Sequence, residues 1–207
     1  RESLAQLDPV TRAQLEAGDW DVRSAGGVFK RDWVEIVDEI PPGGRATRWW
    51  DTASTVPKPG RDPDYTVGCK THLIDGTYYI EDVVRLRADP FTVKTTIGLT
   101  AQVDGKAVSV RMGKEPGSSG LSVADDYART ILLGYDFMAL AETGDKKTRA
   151  APVSSAARGG RVKILRGSWN RDFLDELEAF PEGHDDQVDA LSGAVYYLSS
   201  STNWGMG

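Results

Sequence analysis

Cysteine is nearly absent from this 207-residue chain: Cys69 is the only one, and there are two histidines. A lone thiol excludes an intramolecular disulfide. With so few histidines it also argues against a zinc hydrolase and excludes a zinc site built on several cysteines, and it fits a reducing cytoplasm. No apolar run approaches the ~20 residues that span a bilayer, and no signal peptide is visible, so no membrane partner is expected. A nucleotide-binding P-loop is missing. Gly144-Asp145-Lys146-Lys147-Thr148 has the lysines and the threonine but lacks the first glycine. The Gly-x-Ser-x-Gly elbow of serine hydrolases is missing too, and so is any internal repeat. The chain begins at Arg1 rather than at a methionine, which suggests a piece of something longer.

What remains is ordinary for one globular domain: 40% hydrophobic and 27% charged residues. The net charge of −6 speaks against a nucleic-acid partner. Its distribution speaks for one. Residues 145–171 carry Lys146, Lys147, Arg149, Arg158, Arg161, Lys163, Arg166 and Arg171 against Asp145 alone, and residues 172–207 carry eight acids and no Lys or Arg. A site that holds cations and touches phosphates uses that asymmetry; two solvated faces of opposite sign are the plainer alternative.

Along the chain, residues 1–45 read as an arm. Ser3–Ala17 has helical spacing, and Phe29, Trp33 and Val37 share one face of a helical or extended stretch. Pro41-Pro42-Gly43-Gly44 breaks it, and a domain is expected over 46–200 with a frayed tail at 201–207. Arg48-Trp49-Trp50-Asp51-Thr52-Ala53 is strand-like. After a loop at Pro57–Pro63, Tyr65–Ile74 and Thr77–Arg87 form a hairpin about Asp75-Gly76. Asp89-Pro90 starts a helix, although Phe91–Leu99 also fits strand alternation. A strand at Ala107–Met112, a helix at Ser119–Leu133, a strand at Asp136–Ala141, a helix at Lys146–Ala157, a strand at Arg161–Leu165 and helices at Trp169–Phe180 and Asp185–Ser200 complete an α/β domain. Three antiparallel strands come first, parallel strands follow, and helices cover the sheet.

Three acidic positions carry the chemistry. Asp51 ends a strand, Glu115 follows another, and Asp185, Asp186 and Asp189 open the last helix behind His184. Carboxylates gathered at one place repel unless cations lie between them, and hard divalent ions with oxygen ligands answer that need. Two ions roughly 4 Å apart activate water and stabilise the leaving oxygen in phosphodiester hydrolysis. Asp186 and Asp189 are three apart and Asp185 and Asp189 four apart, so either pair shares a side, and the spacing does not choose between them. Each acid alone has a plainer reading: a strand-end residue for Asp51, a loop residue for Glu115, a helix cap for the others. Asp64 is an outer ligand or a turn cap. His184 binds metal, orients water or merely enters a helix. Lys146, Lys147 and Arg149 are the candidates for phosphate contact, at a loop-to-helix start, with a solvated lysine pair as the alternative.

These motifs, taken in order, resemble the C-terminal nuclease domain of the large terminase subunit of tailed double-stranded DNA bacteriophages. The resemblance runs through Ala17-Gly18-Asp19-Trp20, Trp49-Trp50-Asp51-Thr52-Ala53, Asp64-Tyr65-Thr66, Glu115-Pro116-Gly117, Gly144-Asp145-Lys146 to Arg149, and Gly167-Ser168-Trp169-Asn170. Its most specific part is Phe180-Pro181 followed by His184-Asp185-Asp186-Gln187-Val188-Asp189-Ala190-Leu191. The resemblance implies an RNase H-like fold related to RuvC-type resolvases. It implies endonuclease cleavage of concatemeric viral DNA at packaging, with two Mg²⁺ or Mn²⁺ ions, in the host cytoplasm. It assigns Asp51, Glu115 and Asp186 as catalytic metal ligands, Asp189 as the further helix acid and Asp185 as a neighbouring candidate, with Asp64 and His184 auxiliary. The second acid is Glu here, where Asp also occurs in relatives. Implied partners are double-stranded DNA, an ATPase domain of the same full-length protein, the portal and the small terminase subunit. Residues 1–45 correspond to the linker from that ATPase region, and ATP hydrolysis is not expected of this chain. A branch-selective resolvase and a non-catalytic docking module of the packaging motor are the alternatives.

Overall fold

The computed structural model describes residues 27–53, 60, 62–114 and 118–200, without the side chains of 118–121. The helix expected at Ser3–Ala17, most of the Pro57–Pro63 loop, Glu115 and the tail lie outside the described residues. Seven strands and five helices follow a 3₁₀ turn at Arg31–Trp33. The strands are β1 (Glu35–Val37), β2 (Arg45–Asp51), β3 (Thr66–Ile74), β4 (Thr77–Leu86), β5 (Ser109–Lys114), β6 (Phe137–Ala141) and β7 (Val162–Leu165). The helices are α1 (Pro90–Asp104), α2 (Ser118–Arg129), α3 (Lys146–Arg158), α4 (Asn170–Ala179) and α5 (Asp186–Ser200).

One sheet runs in the order β1-β7-β4-β3-β2-β5-β6. The meander β2-β3-β4 is antiparallel, and β5, β6, β7 and β1 join it in parallel. The hairpin is local chemistry: Asp75 and Gly76 both take positive φ, 47° and 77°, which a two-residue turn of the right twist requires. α1 resolves the helix-or-strand ambiguity at Phe91–Leu99. The Asp89 carboxylate accepts from the Phe91 and Thr92 amides, and Pro90 opens the helix with φ already set.

Helices cover both faces of the sheet, so β2 reads as consecutive buried residues rather than as alternation. Trp49 and Trp50 point to opposite sides and seed two cores. Trp49 packs with Ile80, Ile164, Val153, Phe173, Leu191 and Val195 under α3, α4 and α5. Trp50 packs with Val110, Met112, Val93, Ile97 and Tyr127 under α1 and α2. Gly193 lets α5 lie on Trp49: a Cβ there would stand 2.0 Å from the indole Cε2. Gly193→Ala therefore trades a helix-propensity gain for overpacking, with a net loss expected of about 1–2 kcal/mol. Chemical denaturation measures it, and an unchanged midpoint would show that the indole can move aside.

Residues 28–37, part of the expected arm, pack on the domain. β1 pairs in parallel with β7, Phe29 is buried edge-on against Phe180, and the Ser154 hydroxyl donates to the Val28 carbonyl. The sequence hid this because three residues of strand carry little pattern of their own. Boundaries shift too: β2 begins at Arg45 rather than Arg48, β5 at Ser109 rather than Ala107, and α2 ends at Arg129, short of Leu133.

Candidate metal centre

β2 is an interior strand, between β3 and β5, and Asp51 is its last residue, half-buried beside the N-terminal turn of α5. That turn is fixed from outside. Glu176 on α4 accepts from the Gln187 backbone amide and side-chain Nε2, both at 2.6 Å, and its Oε2 also lies 3.2 Å from Arg85 Nη2. A carboxylate from another helix thus caps α5 and complements its dipole. Asp185, Asp186 and Asp189 are left to face elsewhere, which answers the reading of them as mere caps.

Asp186 is buried, and its Oδ2 accepts from the Tyr65 amide at 3.1 Å. Asp64, His184 and Asp186 each bring one ligand atom into a group no wider than 4.8 Å. His184 Nδ1 lies 3.6 Å from Asp186 Oδ2, and its Nε2 lies 2.8 Å from Asp62 Oδ2. When Nε2 donates to Asp62, Nδ1 presents its lone pair towards Asp186, the carboxylate–histidine arrangement that orients metal-binding imidazoles. Arg87 Nη2 lies 3.0 Å from the same Nε2 and donates to it only in the other tautomer, in which Nδ1 carries the proton; the Arg85 and Arg87 guanidinium groups lie over the Tyr65 ring.

A second cluster adjoins this one. Lys146 Nζ bonds both Asp185 oxygens at 2.7 and 2.8 Å and stands 3.6 Å from Asp189 Oδ2. Arg149 Nη2 donates to Asp189 Oδ1 at 2.7 Å and lies 3.4 Å from Glu142 Oε2. Glu142 follows β6 and reaches over Gly113, where a Cβ would meet its Oε1 at 2.5 Å. The acids outweigh the local cations. Burial, then Glu142, Asp189 and Asp186, hold the Asp51 carboxyl well above the usual range, and Lys146 opposes them. Burial also raises Glu142 and Asp186; Arg149 opposes it in the first, and the Tyr65 amide in the second. Hard oxygen donors with uncompensated charge, plus one imidazole, suit a divalent cation.

Of the residues expected from the sequence, Asp51, Asp186 and Asp189 share one end of the sheet, with Asp185 beside them on Lys146. Asp64 and His184 join Asp186. Glu115 lies outside the described residues; β5 ends at Lys114, at the same sheet end as Ala141 of β6. Glu142 was missed. The available signal was an acid directly after a strand and just before Gly144-Asp145, the same signal that marked Asp51. Within the basic block, several side chains meet acids of the chain itself. Lys146 and Arg149 hold Asp185 and Asp189, Lys163 pairs with Glu35, Arg166 with Asp38 and Arg171 with Asp175, while Arg158 lies over Trp33. Four of the eight, Lys146, Arg149, Lys163 and Arg166, meet acids distant in sequence.

An antiparallel meander extended by parallel strands, with helices on both faces, is the RNase H-like fold. The chain belongs to the terminase RNaseH-like domain family, whose profile matches residues 48–198. Among solved structures, the nuclease domain of the phage P22 large terminase is similar, with a TM-score of 0.61 at 10% identity over 86% of this chain and 93% of that one. The large terminase nuclease of thermophilic phage G20c, crystallised with bound magnesium, gives 0.58 at 16% identity over 84% and 98%. That nuclease is similar also in its zinc-bound and cobalt-bound crystal structures. The nuclease domain of the Thermus phage P74-26 large terminase gives 0.57 at 16% identity over 82% and 94%. No curated protein sequence matches the chain.

Proposed function

We propose that this chain is the metal-dependent endonuclease domain of a phage large terminase, cutting concatemeric double-stranded DNA during genome packaging. The observation that carries the reading is the convergence of Asp51, at the end of the interior strand β2, with Asp186 and Asp189 of α5 in a chain of the terminase RNaseH-like family. Asp51, Asp186 and Glu115 are the principal ligands of two Mg²⁺ or Mn²⁺ ions, with Asp185 and Asp189 alongside and Asp64 and His184 auxiliary. The magnesium, zinc and cobalt forms of the G20c nuclease support a divalent ion. When bound, such ions lower the pKa of a water and neutralise charge on the phosphate. The chain's own part is positional. Glu176 fixes the α5 turn, the Tyr65 amide orients Asp186, and Asp62 orients His184. The ATPase domain of the full-length protein, the portal and the small terminase subunit are its partners, in the host cytoplasm.

The test is relaxation and linearisation of supercoiled plasmid DNA by the chain at millimolar Mn²⁺ or Mg²⁺, against a chelator control. Cleavage that persists in chelator, or that stays wild-type in Asp186→Ala, would sink the reading. Preference for four-way junctions over linear duplex would instead favour a resolvase.

Lys146 and Arg149 serve two masters here. They neutralise Asp185 and Asp189 here, and cations held by those acids would free both side chains for phosphate. Lys146→Ala is expected to tighten Mn²⁺ binding while weakening DNA binding, reducing the salt slope of DNA affinity by about one. Calorimetry and fluorescence anisotropy read the two separately. Parallel loss of both affinities would show that Lys146 is purely structural.

A further inference from the structure

A cavity of about 250 Å³ lies beside the acidic centre, between α3, α5 and the end of β6. Glu142 and Arg149 line it as well as facing Asp189, so it is continuous with that centre. Trp49 and Pro152 give it apolar wall, and Tyr196 lines it while remaining 60% exposed. Two of its lining residues carry buried polar atoms with no partner among the described residues: Trp49 Nε1, a donor, and Ser192 Oγ, a donor and acceptor. Such atoms are rare in folded proteins and call for a partner.

We propose that this cavity receives an unstacked nucleobase of the bound DNA, next to the phosphate being cut; the inference rests on the nuclease reading. Size comes first. Pockets for drug-sized ligands run from ~300 to ~1,000 Å³, so this one suits a single ring system. Chemistry comes second. A base presents flat apolar faces to Pro152 and Tyr196, and its edge of acceptors and donors complements Nε1–H and Oγ, which lie just behind the wall and which a small shift of that wall would uncover. Nucleobase pockets in general combine stacking walls with a few edge contacts. Charge comes third. A base brings its own phosphate towards the Arg149 guanidinium, which stands at the cavity between Asp189 and Glu142.

The test uses the 207-residue chain and a short duplex with one central, mispaired 2-aminopurine, whose emission rises on unstacking. Ca²⁺ replaces Mn²⁺, and anisotropy reports binding separately. Binding is expected to raise the emission several-fold. Tyr196→Ala removes one stacking face and is expected to cut that rise about fivefold or more. Ala141→Trp, at the exposed end of β6, fills the cavity and is expected to abolish the rise while duplex binding stays within about twofold. If that variant misfolds, Tyr196→Ala, at an exposed position, decides alone. A bound duplex with no rise overturns the proposal. So does an equal rise in both variants, as when the cavity instead holds a partner protein's side chain. Plasmid cutting with Mn²⁺ but no rise overturns the cavity proposal and leaves the nuclease reading standing. A rise without cutting does the reverse, and a chain that binds no duplex loses both.

Discussion

Asp51→Asn is expected to abolish cleavage and yet make the metal-free domain more resistant to heat. The carboxyl lies where burial and three acids, Glu142, Asp189 and Asp186, all oppose its charge. An amide of the same shape removes that repulsion. It also removes a ligand from the proposed cation pair, and the loss of rate should reach at least about a thousandfold. Sites that hold like charges together for function are less stable than they need be.

The sign of the pH dependence follows from the raised carboxyls. Asp51, Glu142 and Asp186 bind protons more tightly in the folded chain than in the unfolded one. Their contribution to stability is therefore fully present below the ordinary carboxylate range and is lost as pH rises through their raised values. Carboxyls held below the usual range, such as Asp136 beside Arg111, work in the opposite sense. The informative quantity is the difference in melting temperature between Asp51→Asn and wild type, in chelator. It should grow from mildly acid to neutral pH and shrink when Mn²⁺ is added. A pH-independent difference would remove the electrostatic explanation, and cleavage by the variant at the wild-type rate would remove Asp51 from the site.

Glu176→Ala carries the largest expected stability loss, about 3 kcal/mol, read by chemical denaturation. The Gln187 amide and side chain would lose their acceptor, and Arg85 would lose its charge partner in a largely buried setting. Glu176→Gln keeps an acceptor for one donor and should cost less. Because the same carboxylate caps α5, the alanine variant should also weaken Mn²⁺ binding through displacement of Asp186 and Asp189, even where enough folded protein remains to measure. A loss under about 1 kcal/mol, the size of an ordinary hydrogen bond, would mean that α5 is held mainly by its apolar face.

What could be read from the residues alone was whatever is local. Asp75-Gly76 demands a tight hairpin, Asp89-Pro90 demands a helix start, and Asp145 caps α3 through the Thr148 amide. The convergence of Asp51 with the α5 acids was legible because strand ends and helix starts meet at one end of such a sheet. Partners distant in sequence were not legible. Nothing in Asp172–Ala179 announces that Glu176 caps a helix beginning ten residues later. Nothing in the run from Lys146 to Arg171 announces that its charges face Asp185, Asp189, Glu35 and Asp38.

The sequence by itself determined most of the elements, the order of the meander and the candidate acids at the strand end and the last helix, because short-range backbone chemistry and the spacing of apolar residues specify these. Only the tertiary structure decided the company those acids keep. Glu142 joins Asp51 because β6 lies at the end of the sheet where Gly113 leaves room for its side chain. Asp185 and Asp189 meet Lys146 and Arg149 because α3 and α5 pack on the same face over Trp49, where Gly193 permits close contact. Such pairings depend on distances set by packing, and side-chain charge carries no record of them along the chain.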